Sequence, residues 1–146
     1  MSDLHIDDFF KDVAKILTQL YLSFPRKTTL YVEDLVGPDQ VDEFGMHSDR
    51  HLACLGAMLW LAEEDYLRYD DTIRQEAVDQ AVLTGRAFNL LNMPCEATLP
   101  LSEDLPESIR AERSTNVARV REALRSQSSA RVRAVVGELL RQARSI

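Results

Sequence analysis

The chain has 146 residues, of which 45 % are hydrophobic, and these values are typical of a globular protein rather than a disordered one. Its formal net charge of −7 disfavours non-specific contact with nucleic acid or with an anionic membrane. Two cysteines cannot build a disulfide framework. The N-terminus is acidic, whereas a signal peptide begins with basic residues. The apolar runs are shorter than the roughly 20 residues that span a bilayer. We therefore expect a cytoplasmic protein without a membrane segment.

The first predicted element is an amphipathic helix over residues 6–24. Apolar residues recur there with helical spacing, and Pro25 should end the helix, because the residue before a proline disfavours the helical conformation. Residues 28–32 are rich in β-formers and predict a short edge strand. A brief helix over residues 33–36 and a polar loop over residues 39–47 should follow.

The most distinctive segment is the apolar run over residues 52–62, which contains no charged side chain. Ser48 is the predicted N-cap of a helix that includes this run and continues to about Glu64. Asp65 should end it in the left-handed conformation, which Asp tolerates better than most residues. A helix without a polar face is normally buried. The run therefore needs cover from the rest of the chain or from a partner.

Two strands and a further helix are predicted next. Residues 66–69 form the first strand, residues 71–76 form the connection, and residues 77–83 form the return strand. Thr84 can then cap a helix that continues to Leu91. This part of the chain therefore predicts a β-hairpin between two helices.

The C-terminal third differs in composition from the rest. Residues 93–107 contain three prolines and predict a linker. Residues 108–146 contain two apolar stripes separated by a short polar connection, which predicts an antiparallel helical hairpin. Residues 1–100 carry a net charge of −10, whereas the hairpin segment carries +6. We expect this basic arm to pack on the acidic body of its own chain or of a dimer partner.

The succession of a leucine-rich helix, two strands and another helix resembles the winged helix-turn-helix regulators. The segments and motif that carry the resemblance are Met58–Tyr69, Ala81–Leu91 and the helix start Leu83-Thr84-Gly85. The resemblance covers about residues 6–92. It implies a mainly α fold, in which a winged-helix-like domain with a small β-wing precedes the C-terminal hairpin.

The resemblance also implies positions for nucleic-acid contacts. In winged-helix regulators the start of the recognition helix contacts bases, and the wing contacts the DNA backbone. Carried onto this chain, those positions include Arg50, His51, Arg68 and Arg74. The wing region has four carboxylates around Arg74, however, and this charge would repel phosphate. DNA binding is therefore an alternative and not the favoured function.

Residues that could support chemistry are few. His47, His51 and Cys54 have a spacing that suits one helix face and can bind zinc, but His47 precedes the predicted cap, so we expect no metal site. Adjacent carboxylates along the chain point in different directions and do not converge on one substrate atom. Cys95 has no basic neighbour that would stabilise a thiolate. We expect neither an enzyme nor a cofactor.

These observations favour a non-catalytic protein-interaction or dimerisation module, with a homodimer as the expected assembly and a further protein partner unknown. Two alternatives stay open: a DNA-binding transcriptional regulator of winged-helix type, and an adaptor or accessory subunit that docks through the hairpin. The apolar stripes of the hairpin supply the candidate interface residues, which are Leu124, Val136, Leu139 and Leu140.

Overall fold

The computed structural model describes residues 3–95 and 106–146, without the side chain of Arg110. Within these ranges the chain is mainly helical and has one small antiparallel sheet. The helices of the described residues are α1 (Leu4–Ser23), α2 (Val32–Val36), α3 (Asp49–Glu63), α4 (Gly85–Asn92), α5 (Glu107–Arg113), α6 (Asn116–Ser126) and α7 (Ser129–Ala143). The strands are β1 (Thr28–Tyr31), β2 (Leu67–Arg68), β3 (Asp71–Ile73) and β4 (Ala77–Leu83).

The first helix follows the apolar pattern of the sequence. Val13, Ile16 and Leu20 are fully buried on one face of α1, as their helical spacing predicts. The helix ends just before Pro25, and the Phe24 amide donates a final hydrogen bond to the Leu20 carbonyl at 2.9 Å. The predicted helix over residues 6–24 is confirmed, with its start two residues earlier.

The sheet is organised around β4. Strand β1 lies antiparallel on one side of β4, and β2 and β3 pair with the other side. The prediction that residues 71–76 only connect the two strands is wrong, because residues 71–73 form strand β3. Arg74 and Gln75 both have positive φ, at 49° and 60°, and the three-residue turn 74–76 lets Ile73 of β3 pair with Ala77 at the start of β4.

Helix α3 has the predicted caps. The Ser48 hydroxyl accepts a hydrogen bond from the His51 amide at 3.2 Å, and Asp65 has the left-handed conformation with φ 69°. Thr84 caps α4 in the same way, since its hydroxyl accepts from the Ala87 amide at 3.0 Å. The predicted starts of α3 and α4 are therefore confirmed. Such starts can be predicted from sequence because a cap residue bonds to amides only two or three residues further along the chain.

Helices α6 and α7 form a hairpin that packs on α1 of the same chain. Val120 and Val136 are buried within one cluster that also contains side chains of α1, α3, α4 and the sheet. Arg133 adds an ion pair to Asp7 at 3.4 Å and lies over the Phe10 ring. The basic arm therefore lies on the acidic body through an apolar contact with charged pairs at its edge.

The start of the C-terminal part contains one helix that the sequence did not predict. Helix α5 begins at Glu107, within the predicted linker over residues 93–107; residues 96–105 of that linker lie outside the described residues. The extra helix ends at a junction where Pro94 pairs with Thr115 through backbone contacts. In the described part of the chain, no helix is long and apolar enough to cross a membrane.

Candidate functional site

Helix α3 has one buried face and one exposed face. Cys54, Met58 and Leu61 lie in the core, whereas Leu52 and Gly56 are exposed one turn apart. The apolar run of residues 52–62 predicts a helix that is covered on every side. Within the described residues the chain covers only part of this helix, so an apolar face remains open to solvent.

The loop before α3 also exposes apolar side chains, interspersed with the exposed carboxylates of Asp42 and Glu43. Asp42 shapes the loop, because its Oδ1 accepts hydrogen bonds from the backbone amides of Phe44 and Met46, both at 2.9 Å. The Phe44 side chain is 80 % exposed at the tip of the loop. We call the exposed apolar residues of this loop and of α3 the α3–loop surface. Its members are Val41, Phe44, Met46, Leu52, Ala53 and Gly56.

Two of the four candidate nucleic-acid contacts are occupied by other partners. Arg50 donates to the two carboxylate oxygens of Asp12, at 2.7 and 2.6 Å, and its Nε lies 3.6 Å from Asp8. His51 is only 4 % exposed. Because Arg50 is held by Asp12 and His51 is buried, neither side chain is free to read a base edge.

The other two candidates are accessible. Arg68 lies on β2 and is exposed, beside a groove that Lys27 also lines. Arg74 is exposed in the turn between β3 and β4. Asp70 and Asp71 are exposed close to them in the chain. The surface around the two arginines therefore carries both positive and negative charges.

The hairpin residues that the sequence predicts as interface residues pack against the core of the same chain. Val136 and Leu139 are 1 % exposed, and Leu124 and Leu140 are half-buried against the same cluster. Their contacts are therefore made within one chain. A partner that docks on the folded hairpin would meet its outer, polar face instead.

A second feature lies at the start of α3, where Asp39 meets two histidines. The Asp39 carboxylate accepts from the Ser48 hydroxyl at 2.5 Å, from the Ser48 amide at 3.0 Å and from His47 Nδ1 at 2.9 Å. The hydrogen bond from the Ser48 side chain is the largest of the effects that lower the pKa of Asp39 from 3.8 to about 2. The carboxylate is therefore ionised at neutral pH.

His51 completes this cluster. Its Nε2 lies 2.8 Å from the Gln75 carbonyl, and a carbonyl only accepts, so Nε2 carries a proton; in the neutral ring Nδ1 is then the acceptor nitrogen. This Nδ1 has no hydrogen-bond partner and lies 3.8 Å from Asp39 Oδ2. The His47 and His51 rings stack with centroids 3.8 Å apart. We call Asp39, His47 and His51 the His–Asp cluster.

The sequence spacing groups His47 and His51 with Cys54, whereas the structure places Asp39 beside the two histidines. Cys54 points into the core, and burial raises the pKa of its thiol to about 12, so it is not a thiolate ligand at neutral pH. Asp39 takes its place, although it lies eight residues before His47. The sequence signal for it is the Gly37-Pro38 turn, which ends α2 and turns the chain back towards α3.

Comparison with models of known protein families, with curated proteins and with solved structures finds no match for this chain.

Proposed function

We propose that this chain is a non-catalytic protein-association module with a winged-helix-like domain, and that it forms a homodimer through the α3–loop surface. The observation that most supports this proposal is that apolar side chains are exposed where a DNA-reading winged helix would present polar and basic groups. A cytoplasmic location remains part of the proposal.

The order of elements supports the winged-helix comparison. Helix α1, strand β1, helices α2 and α3 and a β-hairpin follow one another, and β4 pairs with both β1 and β2. One departure concerns the segment between α2 and α3. Helix-turn-helix proteins have a turn of about 3–4 residues there, whereas this chain has the loop of residues 37–48. The added length presents Phe44 to solvent.

The chemistry of the α3–loop surface suits contact between proteins. Aromatic residues and methionine are enriched at protein interfaces, and Phe44 and Met46 are 80 % and 60 % exposed. Ala53 and Gly56 are small and exposed on the adjacent helix, so a partner helix can approach the backbone closely. A second copy of the chain supplies the same shape and the same apolar character across a two-fold axis.

The electrostatics favour this function over DNA binding. Arg50 is engaged by Asp12, His51 is buried, and the exposed Arg68 and Arg74 have acidic neighbours. A tight DNA complex typically neutralises about 6–10 phosphates. The adaptor alternative needs a partner for the polar outer face of the hairpin, because the apolar face is already occupied by α1.

Substituting Phe44 with serine should weaken dimerisation by at least about 30-fold, because an exposed aromatic side chain is the kind of residue that dominates interface energies. Sedimentation equilibrium of the full chain measures this directly. Leu22→Ser is the matched control, since Leu22 is 75 % exposed on α1, outside the α3–loop surface, and it should leave the dimer intact.

Higher salt should strengthen association of the wild-type chain, because each copy carries a net charge of −7 and salt screens the repulsion between the two copies.

A wild-type protein that sediments only as the 16.6 kDa monomer at high micromolar concentration would contradict the homodimer. Equal weakening by Phe44→Ser and Leu22→Ser would contradict the assignment of the surface.

A further inference from the structure

We propose that the His–Asp cluster binds one divalent transition-metal ion of the zinc, cobalt or nickel type. Two imidazoles and one carboxylate form a nitrogen and oxygen donor set that such ions accept. The proposal rests on the geometry of residues 39–51 and does not require the chain to dimerise.

His51 is already arranged as a ligand. Its Nε2–H is held by the Gln75 carbonyl at 2.8 Å, and metal-bound histidines typically donate their second ring N–H to such an acceptor. This contact fixes the tautomer and points the Nδ1 lone pair into the cluster. The side chain is 4 % exposed, yet Nδ1 has no partner. A buried acceptor without a partner costs free energy, and a bound cation would remove that cost.

The donor atoms are close enough for one ion. One ligand atom from each of the three residues can be chosen so that all of them lie within 4.8 Å of one another. His47 Nδ1 and His51 Nδ1 lie 2.9 and 3.8 Å from Asp39 Oδ2. Ligand atoms of a tetrahedral zinc site are about 3.3 Å apart, from bond lengths near 2.05 Å. The separations from Asp39 bracket this value. The His47 and His51 rings stack nearly parallel, at 4°, so one ring must rotate about its Cβ–Cγ bond before both lone pairs converge on one ion.

One proton must leave when the ion binds. Asp39 is ionised, so the short contact to His47 Nδ1 is an N–H donor facing a carboxylate. A metal ion at that position replaces the proton, which is released to solvent, and the nitrogen lone pair becomes the ligand. Asp39 keeps its hydrogen bonds from Ser48, which hold the carboxylate in place.

The surroundings favour a cation. The cluster lies beside a cavity of about 260 Å³. Among the described residues that line it, Glu33 and Glu76 add two carboxylates to Asp39, and none is a lysine or arginine. The negative field attracts a divalent ion, and the cavity leaves room for water at the remaining coordination positions. A bound ion would join the loop of residues 37–48 to α3 and, through the Gln75 carbonyl, to the β3–β4 turn.

Titration of the full-length chain with Co²⁺, followed by visible absorption, tests the site. Wild type should bind one Co²⁺ with d–d bands of a nitrogen and oxygen site and without an intense thiolate charge-transfer band. Loss of an outer-shell partner alone costs 10–100-fold in affinity, so His47→Ala should weaken binding by at least about 100-fold. His5→Ala is the matched control, because His5 is exposed on α1, and it should bind as wild type does.

Asp39→Asn provides a second variant of nearly identical shape, and it should also weaken binding, with far-UV circular dichroism confirming that each variant is folded. Zinc should compete with cobalt for the same site in wild type. Wild-type protein that binds no Co²⁺ at sub-millimolar concentration, folded ligand variants that bind as tightly as wild type, or a thiolate band in the wild-type spectrum would each overturn the proposal.

Discussion

Replacing Arg50 with alanine should lower the free energy of unfolding by about 3 kcal/mol. Asp12 is fully buried on α1, and Arg50 donates to both of its carboxylate oxygens. Removing one partner of a buried pair leaves an uncompensated charge, which typically costs 3–5 kcal/mol. We expect the lower end of this range, because the Arg50 side chain is 34 % exposed and its truncation lets water reach Asp12. Urea denaturation of the full chain measures the change.

Arg68→Ala is the matched control, since Arg68 is exposed on β2 and should change stability by no more than about 0.5 kcal/mol. The double variant Arg50→Ala/Asp12→Ala should be more stable than Arg50→Ala alone, because it removes the orphaned carboxylate. Equal effects of Arg50→Ala and Arg68→Ala would contradict a structural role for Arg50. Because Arg50 pairs with Asp12, Arg50→Ala destabilises the fold. A loss of DNA binding in that variant would therefore not show that Arg50 contacts a base.

Leu139→Asp should be the most damaging single substitution in the hairpin. Leu139 is 1 % exposed in a cluster shared with α1. Truncation of a buried leucine to alanine costs about 2–5 kcal/mol, and an unpaired carboxylate adds a desolvation cost. We therefore expect Leu139→Ala to lower stability by about 2–5 kcal/mol and Leu139→Asp to lower it further. Thermal unfolding followed by circular dichroism and by Trp60 fluorescence measures both changes.

Arg141→Ala is the control for this pair, because Arg141 is exposed and its ion pair with Glu138 lies on the surface of α7. Such pairs contribute about 0–1 kcal/mol. The two spectroscopic signals should also change together, since α7 and α1 belong to one cluster of buried residues. A Leu139→Asp protein with wild-type stability, or a hairpin that melts separately from the Trp60 environment, would contradict this packing.

The parts of the fold that the sequence predicts well are those set by local chemistry. Ser48 and Thr84 cap their helices through neighbouring amides, and the mostly apolar run of residues 77–83 fits a strand buried at the centre of a sheet. The left-handed conformation of Asp65 follows from the same kind of signal, since it depends on one residue. The caps and the left-handed residue need no information from distant parts of the chain.

The parts that the sequence does not predict depend on distant contacts. Strand β3 exists because its backbone pairs with β4, although residues 71–76 are mostly polar and their sequence predicts a connection. Asp12 lies among apolar residues of α1, and its partner is 38 residues away. Asp39 meets His47 and His51 only after the loop folds back on α3. Helical periodicity carries no information about such pairings, so the cluster could not be found from spacing alone.

The central claim is that two copies associate through the α3–loop surface. A dilution series of ¹H–¹⁵N correlation spectra, recorded on the full-length chain from low to high micromolar concentration, tests it residue by residue. We expect concentration-dependent shifts for the amides of residues 41–56, with α6 and the exposed face of α7 unchanged. Spectra that do not change with concentration, or shifts confined to α6 and α7, would contradict the claim.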